Sequence, residues 1–245
     1  MVAVVSDGAL TDSVTITITI TGDDDAPTTS TPSTQVGTED TLFTGYVVAD
    51  FPFSDVDDDD SALISITITV VESTGDLEKS TNGNSWSDVS ANDVILTANI
   101  QHLRLNPVAD SITSVTFTYT VEDGTQSSGT AVMTTSFANV NDAPDASGAS
   151  GSLAAVNEDT AVAITSSTIA DVDDSSLDSM IISSTQGGTF TLASSAAIAN
   201  LNFAAGDGTA DNTMTFSGTV ANINTAIATI TWTSATDDDD DAVLS

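Results

Sequence analysis

"SVTITITITGDDDAP", residues 13–27, alternates a β-branched apolar residue with threonine and then runs into three aspartates, an alanine and a proline. Alternation with period two marks a half-buried antiparallel strand, apolar on one face and solvated on the other. The same pattern recurs in "LISITITVV", "SVTFTYTV", "TAVMTTSF" and "ATITWT", all rich in the Val, Ile, Thr and aromatic residues that suit a pleated surface. Helical periodicity is confined to a turn or two around "SANDVILTANI" and "TVANINTAIA". The chain therefore reads as all-β, with β-sandwich domains as the expected architecture. The threonines of the ladders fall on the solvated faces, where sheet twist prevents a flat array that could order ice.

The aspartates that close the first ladder pose an electrostatic problem. The 245 residues include 36 acidic and only two basic ones, Lys79 and Arg104, for a formal charge of −34. Two carboxylates about 5 Å apart repel by roughly 3 kcal/mol at an effective dielectric near 20. Clustered acids would therefore strain a compact state unless a cation sits among them. Nucleic acid and anionic lipid are excluded as partners, since both need Lys and Arg to displace counterions. There is no cysteine, so neither disulfides nor thiolate metal sites are available. The opening "MVAVVSDG" lacks the basic region and apolar core of a signal peptide, and no apolar run reaches membrane-spanning length.

Laid side by side, the acidic clusters form a repeat. "TGDDDAP" at 21–27 matches "NVNDAP" at 139–144, "GTEDT" at 37–41 matches "NEDT" at 157–160, and "SDVDDDDSAL" at 54–63 matches "ADVDDSSL" at 170–177. "VEDG" at 121–124 recurs as "VSDG" at 5–8. The order predicts a complete sandwich over residues 24–140 and a second one over 141–245 that lacks its last strands. Residues 1–23 correspond to the C-terminal strands of such a repeat. The expected origin is a longer tandem array cut inside a domain. Residues 1–23 could complete the last sandwich within one chain, or head to tail between chains by β-strand addition.

Calcium takes six to eight hard oxygen ligands in flexible geometry, drawn from carboxylates and carbonyls of loops. A boundary aspartate, a Glu-Asp pair and an Asp-x-Asp loop offer that chemistry. In Asp55-Val56-Asp57 and Asp171-Val172-Asp173 the valine is expected to turn away while both carboxylates face one side. Pro27 and Pro144 stiffen the boundary and withhold a backbone donor. The run Asp237–Asp241 reads as a surface turn or a cation site.

In this order, "VNDAP", "NEDT", "DVDD" and "EDG" resemble the tandem cadherin-like, immunoglobulin-like repeats of giant bacterial surface adhesins, including those with RTX-type secretion. The resemblance implies Greek-key sandwiches in an extended array, with several Ca2+ ions locking neighbouring domains at their junctions. It implies ligands Asp7, Asp23, Asp24, Asp25, Glu39, Asp55 and Asp57 at a first junction. At a second it implies Glu122, Asp123, Asn141, Asp142, Glu158, Asp171 and Asp173. The expected role is a calcium-rigidified extender of a secreted, extracellular adhesin, with neighbouring repeats as partners and no catalysis. The single histidine, His102, has no cysteine partner, and "AAGDGTADN" at 204–212 is a turn rather than a phosphate loop. The alternative is an adhesin module that recognises a glycan or peptide through loops such as 81–92, where Trp86 lies. A third reading, acids that merely solvate a halophile's protein, predicts scattering over the faces rather than clustering at repeat boundaries.

Overall fold

The computed structural model describes residues 1–56, 62–146, 157–164 and 168–237. The chain divides into two units, Met1–Asn139 and Val140–Ser245. Among the described residues, sixteen strands, β1 to β16, and a few short helical turns make it all-β. No helix among the described residues is long and apolar enough to cross a membrane.

The first unit opens with a hairpin, β1 (Val2–Ser6) and β2 (Thr11–Thr15), which among the described residues forms a sheet of two strands. The ladder at 13–20 was expected to be strand throughout, but strand structure ends at Thr15. A strand needs a partner, and β1 offers five residues to pair with.

The body of this unit is a sandwich. One sheet has the order β3-β10-β9-β4-β7, where β3 is Gln35–Thr38, β4 Ser65–Val70, β7 Asp93–Leu96, β9 Val115–Glu122 and β10 Ala131–Ala138. The other is β6-β5-β8, from Ser87–Asp88, Asp76–Lys79 and Leu103–Asn106. Ile66, Ile68, Phe117, Tyr119 and Val121 of the first sheet meet Leu77, Leu103 and Leu105 of the second in one core. The period-two reading is realised most fully in β10, where Ala131, Met133, Thr135 and Phe137 are buried and the residues between them are not. Tyr46 crosses the core to share a 2.8 Å hydrogen bond with the Thr135 hydroxyl, and burial raises its phenol above the usual range. The stretch "SANDVILTANI" yields strand β7 followed by a 3-10 turn, Thr97–His102.

Both basic side chains are engaged in this unit. Lys79 pairs with Asp93, and Arg104 Nε pairs with Glu78 at 2.7 Å. The Arg104 guanidinium also lies 3.9 Å from the ring centroid of Trp86, so one face of that indole is covered.

The described residues of the second unit form two three-stranded sheets. One is β11-β16-β13, built from Val162–Ala163, Ile230–Thr233 and Thr189–Leu192. The other is β12-β15-β14, from Ser176–Ser183, Thr213–Thr219 and Asn202–Ala205. Phe190, Leu192, Ile230 and Trp232 of the first pack with Ile182, Met214 and Phe216 of the second. A four-residue helix, α1 (Ser195–Ile198), and the longer α2 (Val220–Ile227) complete the unit. The Thr219 side chain caps α2 by accepting from the Asn222 N–H, and Ile223, Ala226 and Ile227 are buried.

The units repeat one plan. In each, a strand after the Asp-Val-Asp segment (β4, β12) pairs antiparallel with a later strand (β7, β15), a helical turn follows, and the next strand (β8, β16) returns to the other sheet. Phe43 bridges Leu105 in the first unit, and Val162 pairs with Trp232 in the second.

A tight turn into β13 depends on Gly188, whose φ is +74° and whose added Cβ would lie 2.5 Å from the Thr233 carbonyl oxygen. Gly188→Ala is expected to destabilise this unit by about 1–3 kcal/mol through the left-handed backbone and the clash. Gly22→Ala, in open space, is the control. Denaturant unfolding followed by Trp232 fluorescence compares them, and equal midpoints would refute the strain argument.

Candidate metal centres

The Asp-Ala-Pro boundary docks against the Asp-Val-Asp segment in both units, in the same register. Thr28 and Ser54 exchange backbone hydrogen bonds of 2.7 and 3.0 Å, and Asp145 and Ala170 exchange bonds of 2.8 and 2.9 Å. Each bridge joins the residue after the proline to the residue before Asp-Val-Asp, which brings the boundary acids beside that loop. Val56 and Val172 are 78% and 61% exposed, so the valines turn outward as their position predicts. In the second unit the Asp142 N–H donates to Asp173 Oδ2. Asp171 Oδ1 accepts from the N–H groups of Asp173 and Asp174 at 3.0 and 2.8 Å. Asn224 holds the approach to this loop, bonding the Ile169 N–H and carbonyl at 2.8 Å each. Asn141 is exposed and donates to the Asp142 carbonyl. Asp57 lies outside the described residues.

At the same end of the first sandwich sits the β9–β10 turn. Asp123 is 4% exposed; its Oδ1 accepts from the N–H groups of Thr125 and Gln126 at 2.6 and 2.7 Å. These bonds, Gln126 first and then Thr125, hold its carboxyl below the usual range. The Thr125 hydroxyl lies between Asp123 Oδ1 and Asp24 Oδ2, at 2.8 and 2.9 Å, and the Gln126 amide donates to the Asp24 carbonyl. Glu122 accepts from the Thr120 and Ser127 hydroxyls. Asp123 Oδ2 is buried without a hydrogen-bond partner, an arrangement costly for a carboxylate oxygen and suited to a hard cation.

This grouping differs from the one expected. Glu122 and Asp123 share the end of the first sandwich that carries Asp24, Asp25 and Asp55, rather than the end where β10 finishes at Ala138. Glu39 sits at the opposite end, because β3 runs parallel to β10 and the Glu39 N–H donates to Ala138, the last residue of β10. From Ala131 to Ala138 the strand spans about 23 Å at 3.3 Å per residue. Asp23 and Asp7 are exposed. Asp7 closes the β1–β2 turn, where its Oδ1 accepts from the Leu10 and Ala9 N–H groups, and these bonds, Leu10 first, hold its carboxyl below the usual range.

A second acidic set lies at the Glu-Asp-Thr end of each unit. Glu39 is 1% exposed, and the next residue, Asp40, accepts from the Asp110 N–H at 2.9 Å. Both Asp40 and Asp110 are left-handed, with φ of 57° and 55°. In the second unit carboxylate oxygens of Glu158, Asp159 and Asp237 lie within 4.8 Å of one another, close enough to hold one metal ion. Asp159 and Asp237 are again left-handed, at 53° and 57°. Asp237 is thus the counterpart of Asp110, and the first aspartate of its run belongs to the repeat; Asp238–Asp241 lie outside the described residues. Sequence reasoning did not name Asp110, counted Asp40 and Asp159 only as members of the Glu-Asp pairs, and left Asp237 in a run that could be a surface turn or a cation site. The signal was present in the alignment of "VADS" with "ATDD".

The donor set is hard oxygen throughout, with no cysteine. It fits Ca2+ or Mg2+ better than a soft metal.

No family model matches this chain, and no curated protein matches it. Among solved structures, an endo-fucoidan hydrolase of glycoside hydrolase family 107 aligns with 98% of this chain and 32% of its own, at 17% identity and a TM-score of 0.29. So loose a superposition carries no argument about fold or activity.

Proposed function

We propose that the chain is a structural extender segment of a secreted bacterial surface adhesin. Its modules are Greek-key sandwiches in a tandem array, with Ca2+ held at module ends so that neighbours lock together and project a distal binding domain. Its partners are neighbouring repeats, and it works outside the cell without catalysis. The observation that carries this reading is the recurrence of one acidic plan in two units, from the docked boundary to the left-handed aspartate pairs. It is supported by the placement of the two bases: both are tied to Glu78 and Asp93, so neither relieves the acidic ends. Divalent metal bound among the acids supplies the counter-charge that the chain's own bases do not.

The mechanism is mechanical. A bare acidic end repels itself and its neighbour; calcium turns that repulsion into shared coordination, and the joint stiffens. Calorimetric titration of the metal-free chain is expected to show several Ca2+ sites with dissociation constants of about 10⁻⁴–10⁻³ M, typical of extracellular modules. A titration without saturable heat would remove the proposal's foundation.

A further inference from the structure

In the first unit β4 is paired on both edges, with β7 on one side and β9 on the other. In the second unit β12 takes the place of β4 and pairs with β15 as β4 pairs with β7. Its other edge has no strand among the described residues, the sheet order being β12-β15-β14. The two strands also differ in burial. β4 buries Ser65, Ile66 and Ile68, whereas β12 buries Ile182 alone, and Ile181 is 61% exposed.

The first unit also shows what covers such an edge: the β9–β10 hairpin. The β1–β2 hairpin repeats it in detail. Ala3 pairs with Val14 as Tyr119 pairs with Ala131. Asp7 accepts from the two N–H groups that follow Gly8, as Asp123 does after Gly124. Both glycines are left-handed, at 96° and 111°. The offset that places Val14 on Ala131 also places Asp25 on Asp142, and it sets Ile16, Ile18 and Ile20 on Met133, Thr135 and Phe137. Those counterparts are core residues, at most 7% exposed. Val14, Ile16, Ile18 and Ile20 are 58%, 43%, 74% and 87% exposed. A lone two-stranded hairpin is marginal in water, and this one presents an apolar row that in its counterpart faces a sandwich interior.

We infer that the open edge of β12 is a docking site for the β1–β2 hairpin of a second copy of this chain. β1 runs antiparallel along β12 as β9 runs along β4, and the apolar row of residues 14–20 covers the core of the acceptor unit. A second copy is the occupant because of where the chain enters and leaves the first sandwich. It enters at the Asp24 end, tied to Thr125 and Gln126, and leaves after Ala138, at the far end of β10. A donor hairpin that precedes the first sandwich along the chain and an acceptor unit that follows it form a head-to-tail interface, which propagates as open chains unless the rotation closes a ring. Main-chain pairing supplies the affinity and the alternate side chains the register. The inference rests on the equivalence of the hairpins and not on the metal.

Light scattering and sedimentation of the full chain, over a wide concentration range at physiological ionic strength, test this. The mass is expected to rise through multiples of the single chain, in calcium and in chelator alike. Ile16→Asp, Ile18→Asp and Ile20→Asp together should abolish the rise; these side chains are exposed, so the cores stay intact. Ile181→Lys at the acceptor edge should do the same, and mixing the two variants should restore a dimer and nothing larger. A wild-type chain that stays single at every concentration overturns the inference, as does a hairpin variant that associates like the wild type. A single wild-type chain whose second unit melts lower when the hairpin is altered would place the hairpin in cis, and that also overturns it. Association without calcium heat would defeat only the calcium proposal; calcium heat without association would defeat only this one.

Discussion

Replacing calcium with a chelator at constant ionic strength is expected to lower the melting temperature of both units by about 10 °C for each site that empties. A site at a hundred times its dissociation constant adds about 2.7 kcal/mol, and a domain of this size shifts by about 3–6 °C per kcal/mol. The charge distribution makes the effect large. With 36 acids against two bases, and both bases bound to Glu78 and Asp93, the acidic ends contain no protein cation to take over when the metal leaves. Ionic strength must be held constant because screening alone relieves part of the repulsion among 34 net charges. Trp86 lies in the first unit and Trp232 in the second, so removing either one isolates the other as reporter. Superimposable melts in calcium and chelator would end the calcium reading.

Phe117→Ala is expected to destabilise the first unit by about 3–5 kcal/mol, the usual range for deleting a buried aromatic ring. That is a large part of the roughly 5–15 kcal/mol by which a domain is stable. Phe117 is 2% exposed and sits edge-on to Tyr46, with centroids 5.8 Å apart, and tilted against Tyr119 at 6.4 Å. Tyr46 is held by Thr135 of β10 on one side and by the Phe43 ring, 4.9 Å away, on the other. The surroundings are therefore anchored by strands of one sheet and cannot collapse into the cavity. Val132→Ala, on the outward face of β10 at 40% exposure, should stay within about 0.5 kcal/mol. Urea unfolding followed by Trp86 fluorescence compares the two, and similar midpoints would mean that the β9–β10 hairpin does not carry the core. The same comparison bears on the proposed docking, because the inward residues of this hairpin are what the open edge of β12 lacks.

The acidic chemistry was legible as residue types in a repeated order, and the structure docks the Asp-Ala-Pro boundary on Asp-Val-Asp in both units. Which acids share an end was not legible. Glu39 follows Asp25 closely in sequence, yet its place is set by the parallel pairing of β3 with β10, a strand about a hundred residues later. Asp40 and Asp110 meet across the same sandwich although neither neighbourhood signals the other. The turn that holds Asp123 was visible as Asp-Gly, but only strand direction shows that it opens beside Asp24.

By itself the sequence determined the all-β class, because side-chain alternation and Asp-Gly turn chemistry are local properties readable within a few residues. β9 and β10 show that alternation as burial, and Gly8 and Gly124 show the turn as positive φ. Tertiary structure alone decided where the ladder at 13–20 stops being strand, which end of a sandwich each acid occupies, and which edge of β12 pairs with β15. Those depend on partner and direction, and hydrogen bonds between strands join residues whose separation along the chain carries no local mark.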